Sequence, residues 1–288
     1  MSEAGKVSRP QRAASGIAEA FSRLGDASRW TRVAEVPLAF KTFHPQGMVK
    51  VGNEYWMSSV EVKGGWLTRI LHALHLAPER GTGHLFRFDQ QGKLLGDLKL
   101  GSGAMFHAGG IDFDGKYLWI PVAEYRANSN TLVYRVDPAT LKAEVAFQFP
   151  DHLGALAVNP ETNTLYAGSW SAEKLYSWQL NEQGELADPG AAPKMTYNDG
   201  RSVDYQDMHH VDGDLVLASG YRGFHGGIDL VDMKTRMPVH QVQVPVRVGA
   251  FPITRNPFFC EQVGGKLQFT FVPQDNKSSL FVYEVDGD

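Results

Sequence analysis

Histidine opens three similar segments of the chain: His44 in HPQGM, His107 in HAGGI and His152 in HLGAL. Two further segments, DYQDM and NPFFC, match them more loosely and put Asp204 and Asn256 in the same place. Imidazole nitrogens and a carboxylate gathered on one point are the donor set of a divalent metal. Zn, Fe, Mn, Ni and Cu all suit it, and site geometry sets the choice. The structural alternative is a histidine ahead of a strand that hydrogen-bonds its neighbour and pins it. Recurrence at one repeat position tips the balance toward metal binding or catalysis.

A second set of residues aligns at the ends of the strands that follow: Glu61, Glu124, Ser171, Tyr221 and Pro273. Glu61 and Glu124 are expected to serve as ligand or general base above a metal. Tyr125 and Arg126 add a phenol and a guanidinium, and Trp170 and Tyr221 add faces on which a substrate can stack. Solvated loop chemistry is the plain alternative for each. His209 and His210 alternate sides of one strand, so one is expected to face inward, in the core, and one outward. His72 and His75 are three apart and read as surface residues. GSGAMF lacks the third glycine of a dinucleotide loop, and no GxSxG, GxxxxGK[ST] or HExxH occurs. Cys260 lies in an apolar stretch and reads as packing. Asn276-Lys277-Ser278 fits a glycosylation triplet that chance also produces.

The elements that must hold these residues are repeats. GHLFRFD, NTLVYRVD, EKLYSWQL, GGIDLVD and SSLFVYEVD alternate apolar and polar residues as half-buried strands do. Each is preceded by another strand, NEYWMSSVE, KYLWIPVAE, NTLYAGSWS, DLVLASGY and KLQFTFVP, and that one by the segment bearing His44 or its counterpart. A fourth strand follows in four units: KLLGDLKL, AEVAFQF, a weaker one near KMTYN, and HQVQVPV. Four strands recurring every 45–50 residues or so are the blades of a propeller. The fifth unit lacks its fourth strand, and RWTRVAEVPLAF at 29–40 supplies one. The expected fold is therefore all-β, a five-bladed β-propeller over residues 29–288 closed by its N-terminal strand. Residues 1–28 form a tail and a short helix near 16–26, outside the ring. An insertion at 64–83 carries apolar residues at helical spacing and reads as a lid over blade one.

Composition narrows the partners. The 288 residues carry 28 Lys+Arg against 32 Asp+Glu, a net charge of −4, which gives no electrostatic reason for nucleic acid. A single cysteine rules out an intrachain disulfide and a CxxC motif. No stretch reaches the ~18 apolar residues of a spanning helix. The first residues, MSEAGKVSRPQRAASG, lack an apolar signal core, so a cytoplasmic location is expected, with a trimmed secreted precursor as the alternative.

The blade starts resemble those of the five-bladed glutaminyl cyclotransferases of plants and bacteria. HPQGM is similar to that family's F-T-Q-G-L, and HAGGIDFDGKYLW to its G-E-G-I-T…D-G-x-x-L-Y. The resemblance implies the fold and the ligand face. In that family a glutamate in a Y-E-S-T-G-like context does acid–base work; here the context is YWMSSVE, with Glu61 a few residues on from the family's position. The chain also resembles an uncharacterised bacterial propeller family with an H-P-Q-G-M…S-S-V-E-V signature, which implies no reaction. The expectation is a metal-dependent small-molecule enzyme of hydrolase, lyase or cyclase type. Its metal is held by His44, His107, His152, Asp204 and Asn256, and its catalytic groups are Glu61, Glu124 and Tyr221. The alternatives are a metal-free binding propeller and a metal-free, cyclotransferase-like acyl transferase. Oligomeric state is not legible.

Overall fold

The computed structural model describes residues 16–63 and 80–286. Five antiparallel sheets follow one another along the chain, each built on four main strands. The first runs His44–Val51, Glu54–Lys63, Arg80–Asp89, Leu94–Leu100, and the third Leu153–Asn159, Thr164–Ser169, Lys174–Gln179, Lys194–Tyr197. The fourth runs Asp204–Asp212, Leu215–Arg222, His225–Asp232, Met237–Val244. In the second, the inner strand is split into Met105–Ala108 and Asp112–Phe113, both paired to Leu118–Glu124. Thr131–Val136 and Ala143–Phe149 complete that sheet. The fifth consists of Phe258–Val263, Lys266–Phe271, Ser279–Asp286 and, from the other end of the chain, Arg29–Pro37. Arg29 faces Asp286 and Pro37 faces Ser279, with a bulge between Arg32 and Ala34. The strand is shorter than the sequence suggests, because Leu38 leaves the ladder into the core between blades five and one.

Burial rises toward the axis. The outer strand Leu94–Leu100 alternates exposed and half-buried residues, while Leu118–Glu124 is buried along almost its whole length. The apolar core is correspondingly divided into five clusters, one at each junction between neighbouring blades. Trp56 and Ile120 meet between blades one and two, Trp119 and Leu156 between two and three, and Phe88 and Leu280 between five and one.

The helix is Ile17–Phe21, shorter than the 16–26 read from the sequence. It packs on the ring rather than standing apart from it. Phe21 is fully buried in the cluster between blades four and five, and the Ala18 N–H donates to Asp212 Oδ2 at 3.0 Å. Of the expected insertion, residues 64–79 lie outside the described residues, and 80–83 belong to the strand Arg80–Asp89.

At the axis the inner strands nearly touch. A Cβ on Gly47 would come 2.4 Å from the Ile111 nitrogen, and one on Gly110 would come 2.7 Å from Asp207 Oδ1. The Gly110–Ile111 backbone fills the space at Gly47, and the fully buried Asp207 carboxylate lies against Gly110. It accepts N–H groups from Met48 in blade one, Ile111 in blade two, Phe258 in blade five and its own neighbour Met208. His209 sits beside it, its Nε2 3.2 Å from Asp207 Oδ2 and its Nδ1 3.5 Å from Asp112 Oδ1. Asp112 Oδ2 in turn accepts N–H groups from Val158 in blade three and His210. This one polar cluster therefore touches the inner strand of every blade. Burial alone would make His209 less basic, but the two carboxylates outweigh it and hold the ring protonated up to about 10. His209 is thus the inward histidine of the pair, in the core as expected. His210 is also buried, with Nε2 2.6 Å from the Gly213 carbonyl.

Candidate functional site

The start of each inner strand pairs with the end of the second strand: His44 with Val60, Met105 with Glu124, Leu153 with Ser169, Asp204 with Tyr221. This register sets Asp204 opposite Tyr221 and His44 opposite Val60, with Glu61 one step beyond. Bulges at Gln46, Gly154 and Gln206 fall at one repeat position and turn the first residues of their strands out of the regular pleat. Ser171 has left the ladder for the tight turn Trp170–Ala172.

The histidines of blades two and three form an aromatic nest. The His107 ring stacks on Tyr125 with centroids 4.5 Å apart and lies 5.4 Å from the His152 ring. His152 meets Trp170 edge-on at 4.7 Å. Both imidazoles are buried. Burial pushes His107 well below the ordinary imidazole range, and the nearby His152 and His44 push the same way. Burial pushes His152 down to about 4, against the Glu124 carbonyl and the Asp151 carboxylate, which favour the charged ring. Both rings are neutral at pH 7. His152 Nδ1 donates to the Glu124 carbonyl at 2.9 Å, which fixes the tautomer and leaves Nε2 as the acceptor. His107 Nδ1 is buried with no hydrogen-bond partner.

His44 is different. Its side chain is 28% exposed, and Nδ1 lies 2.8 Å from Asp275 Oδ1. Asp275 also accepts from Arg255 at 3.2 Å and from Asn256 Nδ2 at 3.2 Å. Burial works to raise this carboxyl, but His44, Arg255 and Asn256 together hold it below the usual carboxylate range. Asn256 is thereby drawn to Asp275, and its Oδ1 is buried without a partner.

The remaining expected residues are engaged elsewhere. Asp204 pairs with Arg222 at 3.0 Å and Arg201 at 3.4 Å. Glu124 is clamped by Asn130 and Arg126, which hold it below its ordinary value. Tyr221 stands half-buried opposite Asp204. Glu61 lies 3.8 Å from Nε2 of His84, whose Nδ1 is 2.8 Å from Asp97. Among the described residues, no three His, Cys, Asp or Glu side chains are placed to hold a metal ion. The five expected ligands therefore divide into a pair of neutral rings, a His44–Asn256 set around Asp275, and an ion-paired Asp204. Among the described residues, His107 Nδ1 and Asn256 Oδ1 are buried with no hydrogen-bond partner, and Arg201 Nε and His84 Nε2 have only the long contacts to Asp204 and Glu61. Such a concentration is what a ligand or ordered water satisfies.

Asp275 and His84 were not singled out in the sequence. Asp275 sits in the loop PQDNK between the second and third strands of blade five, whose sequence is not repeated in the other blades. His84 breaks the apolar run of GHLFRFD, a visible signal, since a histidine inside a core strand needs a partner on each nitrogen.

Comparison with known proteins agrees on the architecture. A luciferin-regenerating enzyme superposes with a TM-score of 0.52 at 9% identity, covering 91% of this chain and 96% of that one. A GH43 endo-arabinanase from Bacillus licheniformis gives 0.49 at 9% identity, over 86% and 95%. Kuenenia stuttgartiensis hydrazine synthase gives 0.43 at 13% identity over 85% of this chain, which spans only 59% of that one. Identities this low show the propeller fold alone. No curated protein matches in sequence. A model described as "Family of unknown function" matches residues 11–286.

Proposed function

We propose for this chain, which belongs to the DUF6454 family of unknown function, a small-molecule enzyme of hydrolase or lyase type whose site is the histidine-bearing mouth of the propeller. The observation that carries this reading is the His44–Asp275 pair, an accessible imidazole oriented by a carboxylate. His44 Nδ1–H donates to Asp275, so Nε2 carries the lone pair and takes a proton from water or substrate. Asp275 stabilises the imidazolium that results, as an orienting carboxylate does. Arg255 and Asn256 keep Asp275 ionised and in place. The neutral rings of His107 and His152 offer a substrate polar contacts without charge, and Tyr125 and Trp170 offer stacking faces.

A second reading is a divalent metal bound at His44, His107 and His152. It is favoured by His44 and His152 each having Nδ1 held by an oxygen, as ligating imidazoles do. The described arrangement brings no third donor to them, so no step is assigned to a metal. A cyclotransferase-like acyl transfer fits the same imidazole base and needs no metal.

The experiment is turnover of a panel of esters, lactones, hydroxy acids and a peptide with N-terminal glutamine. Metal content is measured on protein purified without a metal column. Asp275→Asn and His44→Ala are expected to lower kcat by about 10²–10⁴. Wild-type protein that turns over nothing in the panel leaves the rigid binding scaffold as the reading. Activity that disappears with chelator and returns with one metal installs the metal reading.

A further inference from the structure

We propose that a groove between blades three and four, separate from the mouth, binds the carboxylate or phosphate group of a small polar molecule on Arg236. The groove has a volume of about 500 Å³ and is lined by Tyr166, Ser177, Trp178, Asp214, Lys234 and Arg236 among others. That is the size of a small-molecule site.

Arg236 is the residue that asks for an anion. It is only 8% exposed, and burial lowers its pKa, so its charge is poorly solvated. Its guanidinium hydrogen-bonds Ser177 Oγ at 2.8 Å, and among the described residues no carboxylate pairs with it. Other part-buried guanidiniums of the ring do have one: Arg87 on Glu54, Arg135 on Glu144, Arg255 on Asp275. The groove's two carboxylates, Asp188 and Asp214, are already engaged, and Asp188 Oδ1 accepts the Gly190 N–H at 3.0 Å. Asp214 receives Lys234 at 3.0 Å, the Tyr166 hydroxyl at 3.1 Å and Asn159 at 3.3 Å. A buried, unpaired guanidinium is costly unless something supplies the counter-charge. Its planar fork matches the two oxygens of a carboxylate or phosphate.

The backbone at Arg236 points the same way. The turn after the third strand of blade four holds Arg236 at φ 59, and the matching turn of blade two holds Leu141 at φ 61. In both, the N–H bonds back four residues, to Asp232 and Asp137 respectively. Leu141 lies 42% exposed, whereas the Arg236 side chain is folded in against blade three. A left-handed conformation is disfavoured for a side-chain-bearing residue. Glycine fills the corresponding turns in blades one and three, as Gly92 and Gly184.

The test is calorimetric titration of the full chain with inorganic phosphate and, separately, with glucuronate, which distinguishes the two oxyanions. Wild-type protein is expected to bind at least one of them saturably. Arg236→Gln should weaken that binding tenfold or more, Arg236→Lys several-fold through loss of the fork, and Asp214→Asn should tighten it. Saturable binding of neither anion overturns the proposal, and so does equal affinity in an Arg236→Gln protein that melts like wild type. Should Arg236→Gln fail to fold, Ser177→Ala decides: loosened binding supports the site, unchanged binding removes it.

Discussion

Replacing Asp207 with asparagine should cost the ring about 5 kcal/mol. The substitution changes little in volume but turns one oxygen into an amide nitrogen. Whichever way the amide is placed, two of the four backbone donors lose their acceptor. These are Met48 and Phe258 on one oxygen, or Ile111 and Met208 on the other. A buried donor left unsatisfied costs about 1–3 kcal/mol. His209 also loses the carboxylate 3.2 Å from its Nε2, and breaking one side of a buried ion pair costs about 3–5 kcal/mol. These losses overlap, so the total lies near the lower end of their sum. For a domain of this size it corresponds to a fall in Tm of roughly 10 °C. Urea and thermal unfolding followed by circular dichroism measure it. The pH profile adds a second readout. The folded-state pKa of His209 is raised, to about 10, above the ordinary 6.5. Its stabilisation is therefore complete below pH 6.5 and lost as pH rises through 10. The wild-type unfolding free energy should fall across that interval, and the Asp207→Asn protein should show a shallower fall. A loss under 1 kcal/mol with an unchanged pH profile would refute the idea that this cluster ties the blades together.

Gly110→Ala puts a methyl 2.7 Å from both Ala155 Cβ and Asp207 Oδ1, and should destabilise by about 1–3 kcal/mol in a denaturant titration. Stability should also fall on acidification from pH 6.5 toward 4, because the unfolded chain takes up a proton that buried His152 refuses. That single group is worth roughly 3 kcal/mol over the interval, and His152→Asn should flatten the acid limb. Deleting residues through Pro37 strips the partner from Ser279–Asp286 and leaves an open edge. Light scattering should report aggregation, and a monomeric, cooperative melt would contradict the role given to that strand.

The blades were legible because strand alternation and turn chemistry are local patterns that repeat, and the repeat also placed His44, His107 and His152 at equivalent positions. What those residues touch was not legible. Asp204 starts its inner strand as His44 does, but its charge is taken by Arg201, three residues earlier, and by Arg222, across the hairpin. Neither pairing leaves a mark on the repeat. Asp275 lies in a loop whose sequence differs from blade to blade, so the repeat pattern does not mark it. Asp207 was visible in principle. It occupies the position held by Gly47, Gly110 and Ala155 in the first three blades, and a carboxylate in a column of small residues at a crowded axis must be solvated by the backbone around it.

Many propellers are pierced by a water-filled shaft. Here Asp207, His209 and the glycine contacts occlude the shaft at mid-height, which makes the mouth a cup with a floor. Among the described residues, a molecule that enters past His44 meets this floor. In the function proposed above, substrate and product then share one doorway, so a lingering product blocks the next arrival. Whatever turns over in this cup should show competitive inhibition by its own product and should slow in viscous solvent once release limits the cycle.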